Sequence, residues 1–134
     1  RRQAQTPPLM RSDHSSRATG LQAEELALRY LEDRGLRRVE RNFSSRRGEI
    51  DLVMQDRDTL VFIEVRFRRD SRFGSAAESV TSRKQQRSVK AASHVLCSKK
   101  QWREHPCRFD VLAISGGSER QKIDWIRDAF SADF

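Results

Sequence analysis

Asp51 and Glu64 are the residues of this chain whose types and spacing best suit chemistry. Each lies inside an apolar stretch, Gly48-Glu49-Ile50-Asp51-Leu52-Val53 and Val61-Phe62-Ile63-Glu64-Val65-Arg66. A carboxylate inside such a stretch is costly to bury unless it is paired or metal-bound. Arg66 follows Glu64 by two positions, so in an extended chain the two share a face. Carboxylates with a cation beside them are the outline of a Mg²⁺ or Mn²⁺ site. Such ions take oxygen ligands, few of them from carboxylates, and leave positions for water and phosphate oxygens. The chemistry this suits is phosphodiester hydrolysis, in which a bound divalent ion activates water and offsets charge on the scissile phosphate. Arg66 is then placed to orient water or stabilise the transition state.

Two strands must position these groups. Period-2 alternation puts Glu49, Asp51 and Val53 on one face of the first, and Ile50, Leu52 and Met54 on the other. In the second, Leu60, Phe62, Glu64 and Arg66 oppose Val61, Ile63, Val65 and Phe67. The link Asp56-Arg57-Asp58 is short and polar, which predicts a hairpin. Upstream, Thr19 and Gln22 resemble a capping box ahead of a helix over 21–34 that stops at Gly35. On that helix Glu24 shares a stripe with Ala27, Leu28 and Leu31, whereas Glu25 faces Arg29 as an exposed pair. Glu24 is thus a carboxylate beside the core and a third candidate metal ligand. A short strand is expected over 37–42, followed by a polar turn over 44–47.

Arg68 opens a basic loop containing Gly74. Thr81 is expected to cap a second helix over 82–97, whose N-terminal half carries Lys84, Arg87 and Lys90. Positive charge is unfavourable near a helix N-terminus, so this cluster suggests phosphate contact. Arg46, Arg47, Arg68, Lys84 and Arg87 are the candidate nucleic-acid contacts. Strands over 108–114 and 122–126 close the domain, with Asp110 read as structural and Trp102 and Trp125 as packing residues. The order is helix, three strands, helix, two strands. It predicts an α/β fold, a mixed β-sheet flanked by helices.

The 134 residues suit one domain, with residues 1–17 as a disordered basic tail and 18–134 as the folded unit. The net charge of +8 is carried mostly by arginine, which forms bidentate bonds to phosphate, so a polyanion such as nucleic acid is the expected partner. No apolar run is long enough to span a membrane and no signal peptide is visible, so no membrane role is expected. Cys97 and Cys107 form no CxxC pair, which suits a reducing, cytoplasmic setting. With His94 and His105 they match no standard structural zinc spacing. No Ser-His-Asp or Cys-His arrangement supports covalent catalysis.

Taken in order, Gly20-x-x-Ala23-Glu24-x-x-Ala27, Arg41-Asn42, Gly48-Glu49-Ile50-Asp51-Leu52, Val61-Phe62-Ile63-Glu64-Val65, Phe73-Gly74, Lys84 and Arg108-Phe109-Asp110 resemble the YraN-type bacterial family. That family is similar to Holliday-junction resolvases and to the PD-(D/E)XK nuclease superfamily. The resemblance implies a restriction-endonuclease-like αβββαβ core and a Mg²⁺- or Mn²⁺-dependent endonuclease acting on structured, branched DNA. It implies Asp51 and Glu64 as core metal ligands, joined by the Val65 carbonyl, with Glu24 as the helix acid and Lys84 as the basic residue of the second helix. Arg66 stands where the superfamily has lysine. Arginine does not give up its proton, so the alternative expectation is a catalytically inactive nucleic-acid-binding domain on the same scaffold. Junction resolvases cut two strands symmetrically, which makes a homodimer the matching assembly.

Overall fold

The computed structural model describes residues 12–46, 48–68, 80–116 and 121–131, with side chains from Gln22 onward. The elements are helix α1 (Ser12–Asp33), strands β1 (Arg37–Ser45), β2 (Gly48–Asp56) and β3 (Thr59–Arg68), helix α2 (Ser82–Ser98), a 3-10 turn (Lys100–Trp102), and strands β4 (Cys107–Ser115) and β5 (Lys122–Phe130). The strands form one five-stranded sheet in the order β1-β2-β3-β4-β5. β1-β2, β2-β3 and β4-β5 pair antiparallel, and β3-β4 pair parallel. α2 lies in the connection between the parallel strands, the long crossover that such a pair requires. The fold is α/β, a mixed sheet carrying two helices, consistent with a restriction-endonuclease-like core.

The sheet separates two apolar clusters. Ala23, Ala27, Leu28 and Leu31 of α1 pack with Leu52, Met54, Val61, Ile63, Val65, Leu112 and Ile114. Ala91, Ala92 and Val95 of α2 pack with Ile50, Val53, Leu60, Phe62, Phe109 and Trp102. β3 and β4 are therefore covered on both sides, which explains why they read as nearly continuous apolar runs.

Several expectations need correction. α1 begins at Ser12, ahead of position 21 and inside the stretch assigned to a tail. Thr19 lies within the helix, so the capping-box pattern does not mark its start. Helical backbone can propagate outward from a packed segment without a further apolar stripe, so periodicity gave no signal for these turns. β1 runs to Ser45, which shortens the turn expected over 44–47, and β5 runs to Phe130, beyond 126. The 57–58 hairpin forms as expected, with Asp56 opposite Thr59. Arg57 takes a left-handed φ of 59° there. Thr81 caps α2, its hydroxyl accepting from Lys84 N at 3.3 Å.

The most consequential correction concerns β2. Ile50 joins the α2-side cluster while Leu52 and Met54 join the α1-side cluster, so Ile50, Leu52 and Met54 do not share a face. The β2–β3 register ends at Leu52↔Ile63. Before that pair β2 diverges from β3 and turns toward α2, so strict alternation fails at Asp51. Gly48 makes the approach to the helix possible, because a Cβ there would overlap the Arg87 carbonyl.

Candidate acidic site at the β2–β3 divergence

Asp51 sits at the point where β2 leaves β3. Its Oδ2 accepts the backbone N–H of Val65 at 2.8 Å, a bond made beyond the end of the strand register. Its carboxyl is also hydrogen-bonded to that of Glu64. Glu64 lies on the α2 side of β3, with Arg66 Nη1 4.0 Å from its Oε1. The charges of both Arg66 and Lys84 act on it. Glu49, Glu64, Arg66, Lys84, Arg87 and Ser88 line a cavity of about 100 Å³ between β2, β3 and the first turns of α2.

Two carboxyls held this close cannot both ionise cheaply out of water. Burial, then the Asp51 charge and hydrogen bond, push the Glu64 carboxyl up to about 8, against the pull of Arg66 and Lys84. Burial also raises Asp51, but there the Val65 N–H opposes it by stabilising the ionised form. Both carboxyls are raised, so the pair shares a proton. Lys84 is lowered by burial and by the positive charges of Arg66 and Arg68. That cause also brings Arg68 into the electrostatic neighbourhood of the site.

Glu24 approaches from α1. Burial, with Asp51 and Glu49, raises its pKa, while Asn42 and Arg41 oppose the shift. Its Oε1 is buried without a hydrogen-bond partner. The adjacent Glu25 pairs outward with Arg29 Nε at 3.3 Å and Arg41 Nη1 at 3.1 Å. The Glu25–Arg29 pair is the one their spacing predicted.

The structure thus brings together Glu24, Asp51, Glu64, Arg66 and Lys84, with Arg87 and Arg68 beside them. Arg46 is exposed at the end of β1, and Arg47, Phe73 and Gly74 lie outside the described residues. Among the described residues, no three His, Cys, Asp or Glu side chains converge closely enough to form a metal cage unaided. Sequence reasoning assigned no role to Asn42, which stands by Glu24, and did not single out Ser88, which lines the cavity. The Arg41-Asn42 motif was visible, but its meaning depends on contacts between α1 and β1.

Asp110 is fully buried and structural, as its position suggested. It accepts from Arg108 Nε at 3.0 Å, Trp125 Nε1 at 2.8 Å and Asp128 N at 2.9 Å. Trp102 is buried in the α2-side cluster, and Trp125 packs against the α1-side cluster. No helix among the described residues is long and apolar enough to cross a membrane.

Comparison with known proteins agrees along most of the chain. The model of "Uncharacterised protein family UPF0102" matches residues 23–114, from the start of α1's apolar stripe to the end of β4. A UPF0102 protein of Stutzerimonas stutzeri is 52% identical over 117 residues, 87% of this chain and 98% of that protein. One from Nitrosococcus oceani is 50% identical over 117 residues, covering 87% and 94%. One from Pseudomonas aeruginosa is 46% identical over 125 residues, covering 92% of this chain and all of its own. The matched region contains every acid of the site, and the chain belongs to the UPF0102 family.

Proposed function

We propose that this protein is a Mg²⁺- or Mn²⁺-dependent endonuclease that hydrolyses phosphodiester bonds of structured DNA, branched forms included. The observation that carries this reading is the half-buried Asp51–Glu64 carboxyl pair beside Arg66 and Lys84. Such a pair must hold a proton or a cation to be stable out of water. The αβββαβ order and the resemblance to the PD-(D/E)XK superfamily support the same reading.

The donor set fits the implied ion. All its side-chain donors are carboxylate oxygens, which suit a hard cation. The unpartnered Oε1 of Glu24 adds a buried acceptor at the edge of the cluster. Asp51 and Glu64 would hold the ion, Glu24 would assist directly or through water, and Mg²⁺ needs no more than one or two carboxylates. When bound, the ion supplies Lewis-acid charge and lowers the pKa of a water molecule. Deprotonated Glu64 and Asp51 would then be stabilised by positive charge instead of by the shared proton. Arg66 and Lys84 are placed to hold phosphate oxygens and to stabilise charge developing on them. Arg66 stays protonated and does not act as base, so the proton of the attacking water passes to the substrate phosphate or to solvent. The free thiols of Cys97 and Cys107 suit action in a reducing cytoplasm. A homodimer would present two such sites for paired cuts.

Arg66 favours a second reading, a domain of the same build that binds nucleic acid without cutting it. The two readings part in one experiment: cleavage of labelled linear, flapped and four-way-junction DNA with Mg²⁺ or Mn²⁺, comparing the parent protein with Asp51→Ala. A nuclease cuts in a metal-dependent way, and the variant retains less than about one-hundredth of the rate. Unchanged cleavage by the variant would sink the assignment. Binding that falls steeply with salt, ignores chelator and never leads to cutting would favour the second reading.

A further inference from the structure

We infer that the arginine-lined cavity at the β2–β3 hairpin end of the sheet is a phosphate-binding site, separate from the acidic site and built around the buried carboxylate of Asp110.

The cavity measures about 570 Å³, and Arg34, Arg57, Arg108 and Arg127 line it together with Asp56 and Asp58. Four segments distant in sequence contribute: the end of α1, the hairpin, the start of β4 and the end of β5. Thr59 here and Glu64 at the acidic site are five positions apart on β3, roughly 16 Å at the rise of an extended strand. Arg108 lies 3.0 Å from Asp56 Oδ2 and 3.0 Å from Asp110 Oδ1, so its charge is committed to those two acids. That leaves Arg34, Arg57 and Arg127 in the lining, with Asp58 as the remaining acid. Among the described residues, none of these three guanidiniums is in an ion pair. The excess of positive charge favours an anion over a cation.

Asp110 is fully buried, a costly place for a carboxylate, and its contacts account for the site's rigidity. Between the pairs Val111↔Ile126 and Phe109↔Phe130, residues 127–129 of β5 stand against Asp110 alone. Such a bulge re-aims the side chains it carries. Asp128, at its centre, has a φ of 53° and donates its N–H to Asp110 Oδ1 at 2.9 Å. The other oxygen, Oδ2, accepts Trp125 Nε1 at 2.8 Å. The Arg127 guanidinium carbon in turn lies 4.0 Å from the centre of the Trp125 ring. One buried carboxylate thus holds Arg108 directly, and Arg127 through the bulge and the indole.

Arg34 is held in a similar way at the other side of the cavity. Its guanidinium carbon is 3.5 Å from the centre of the Tyr30 ring, and Nη1 donates to the Tyr30 carbonyl at 3.1 Å. The same contact offsets the negative end of the α1 dipole. A guanidinium laid against a ring keeps N–H donors for an oxyanion and loses little freedom when one binds. Several such forks around one polar cavity match a group with several charged oxygens, a phosphate, better than a single carboxylate. The phosphate can be a link of a nucleic-acid backbone or part of a free phosphate compound.

The test uses the full chain without divalent ions, so its outcome is independent of the nuclease reading. Arg57→Asn and Arg127→Ala are combined in one variant. Both side chains are exposed, and asparagine accepts the left-handed φ of 59° at position 57. The backbone amide resonances of Asp58 and Asp128 are followed during titration with inorganic pyrophosphate and, separately, with four-way-junction DNA. Both resonances should move and saturate with at least one probe in the parent, and the double variant should lose that response. DNA affinity is then measured by fluorescence anisotropy over a range of salt. If a nucleic-acid backbone supplies the phosphate, the variant binds DNA about tenfold more weakly, and the log–log salt slope becomes shallower by about 2. If a free phosphate compound is the ligand, pyrophosphate binding is lost in the variant while DNA affinity and slope stay at parent values. Resonances unmoved by both probes, or a variant that binds both probes as the parent does, would overturn the inference. Weaker DNA binding at an unchanged salt slope, with pyrophosphate binding intact, would overturn it too.

Discussion

Asp51 accepts the backbone N–H of Val65 at 2.8 Å, and that bond stands where the β2–β3 pairing has already stopped. The carboxylate does two things at once. It satisfies a β3 donor that diverging β2 no longer reaches, and that donor opposes the rise in pKa that burial imposes on it beside Glu64. A sheet defect is thereby turned into an acidic site with unequal partners.

The first consequence is a pH dependence. Glu64 rises to about 8 in the folded protein from an ordinary value of 4.5, so between those values the folded state binds more protons than the unfolded state. Stability therefore falls as pH rises across that interval. Divalent-ion binding requires the deprotonated pair and so strengthens over the same interval. Thermal denaturation of the metal-free protein should show a lower Tm at pH 8 than at pH 5.5, with the added Mn²⁺ stabilisation larger at pH 8. Glu64→Gln should flatten the metal-free trend. A metal-free Tm that climbs steadily from pH 5.5 to pH 8 would contradict the shared proton.

A second prediction concerns Gly48. Its missing Cβ leaves room for the Arg87 carbonyl, and neither strand backbone nor helix backbone yields as a flexible side chain would. Gly48→Ala should push the start of β2 away from α2 and cost about 1–3 kcal/mol, read by urea denaturation. A variant as stable as the parent would show that β2 and α2 slide apart without cost.

A third prediction separates Asp110 from the acids of the candidate site. Asp110 is fully buried and holds Arg108, the Trp125 indole and the Asp128 backbone. Asp110→Ala removes one of the two carboxylates 3.0 Å from Arg108, the other being Asp56, leaves the Trp125 indole and the Asp128 N–H without their acceptor, and should cost about 3–5 kcal/mol in denaturant unfolding. Mn²⁺ binding below the unfolding transition should stay near that of the parent. A loss of Mn²⁺ binding out of proportion to the lost stability would move Asp110 into the site.

How much of this was readable in the chain differs from element to element. The 57–58 hairpin, the Thr81 cap, the period of α2 and the apolar runs of β3 and β4 rest on interactions between residues near in sequence, and each was legible there. The exposed Glu25–Arg29 pair was legible too, because residues four apart on a helix are neighbours whatever surrounds them. The N-terminal turns of α1 were not, since nothing in their side-chain pattern distinguishes them from a polar tail.

The sequence by itself determined which residue types are available to the site: two acids in apolar strands, an acid on a helix stripe, and arginines and a lysine around them. Only the tertiary structure decided their arrangement. The β2 face change at Asp51, the approach of Gly48 to Arg87, and the reach of Arg41 to Glu25 each depend on elements meeting in space. Strand alternation is a local rule, and it holds only while a strand stays paired with its neighbour. Where β2 leaves β3 for α2, packing between distant segments replaces pairing, and the carboxyls gather at that junction.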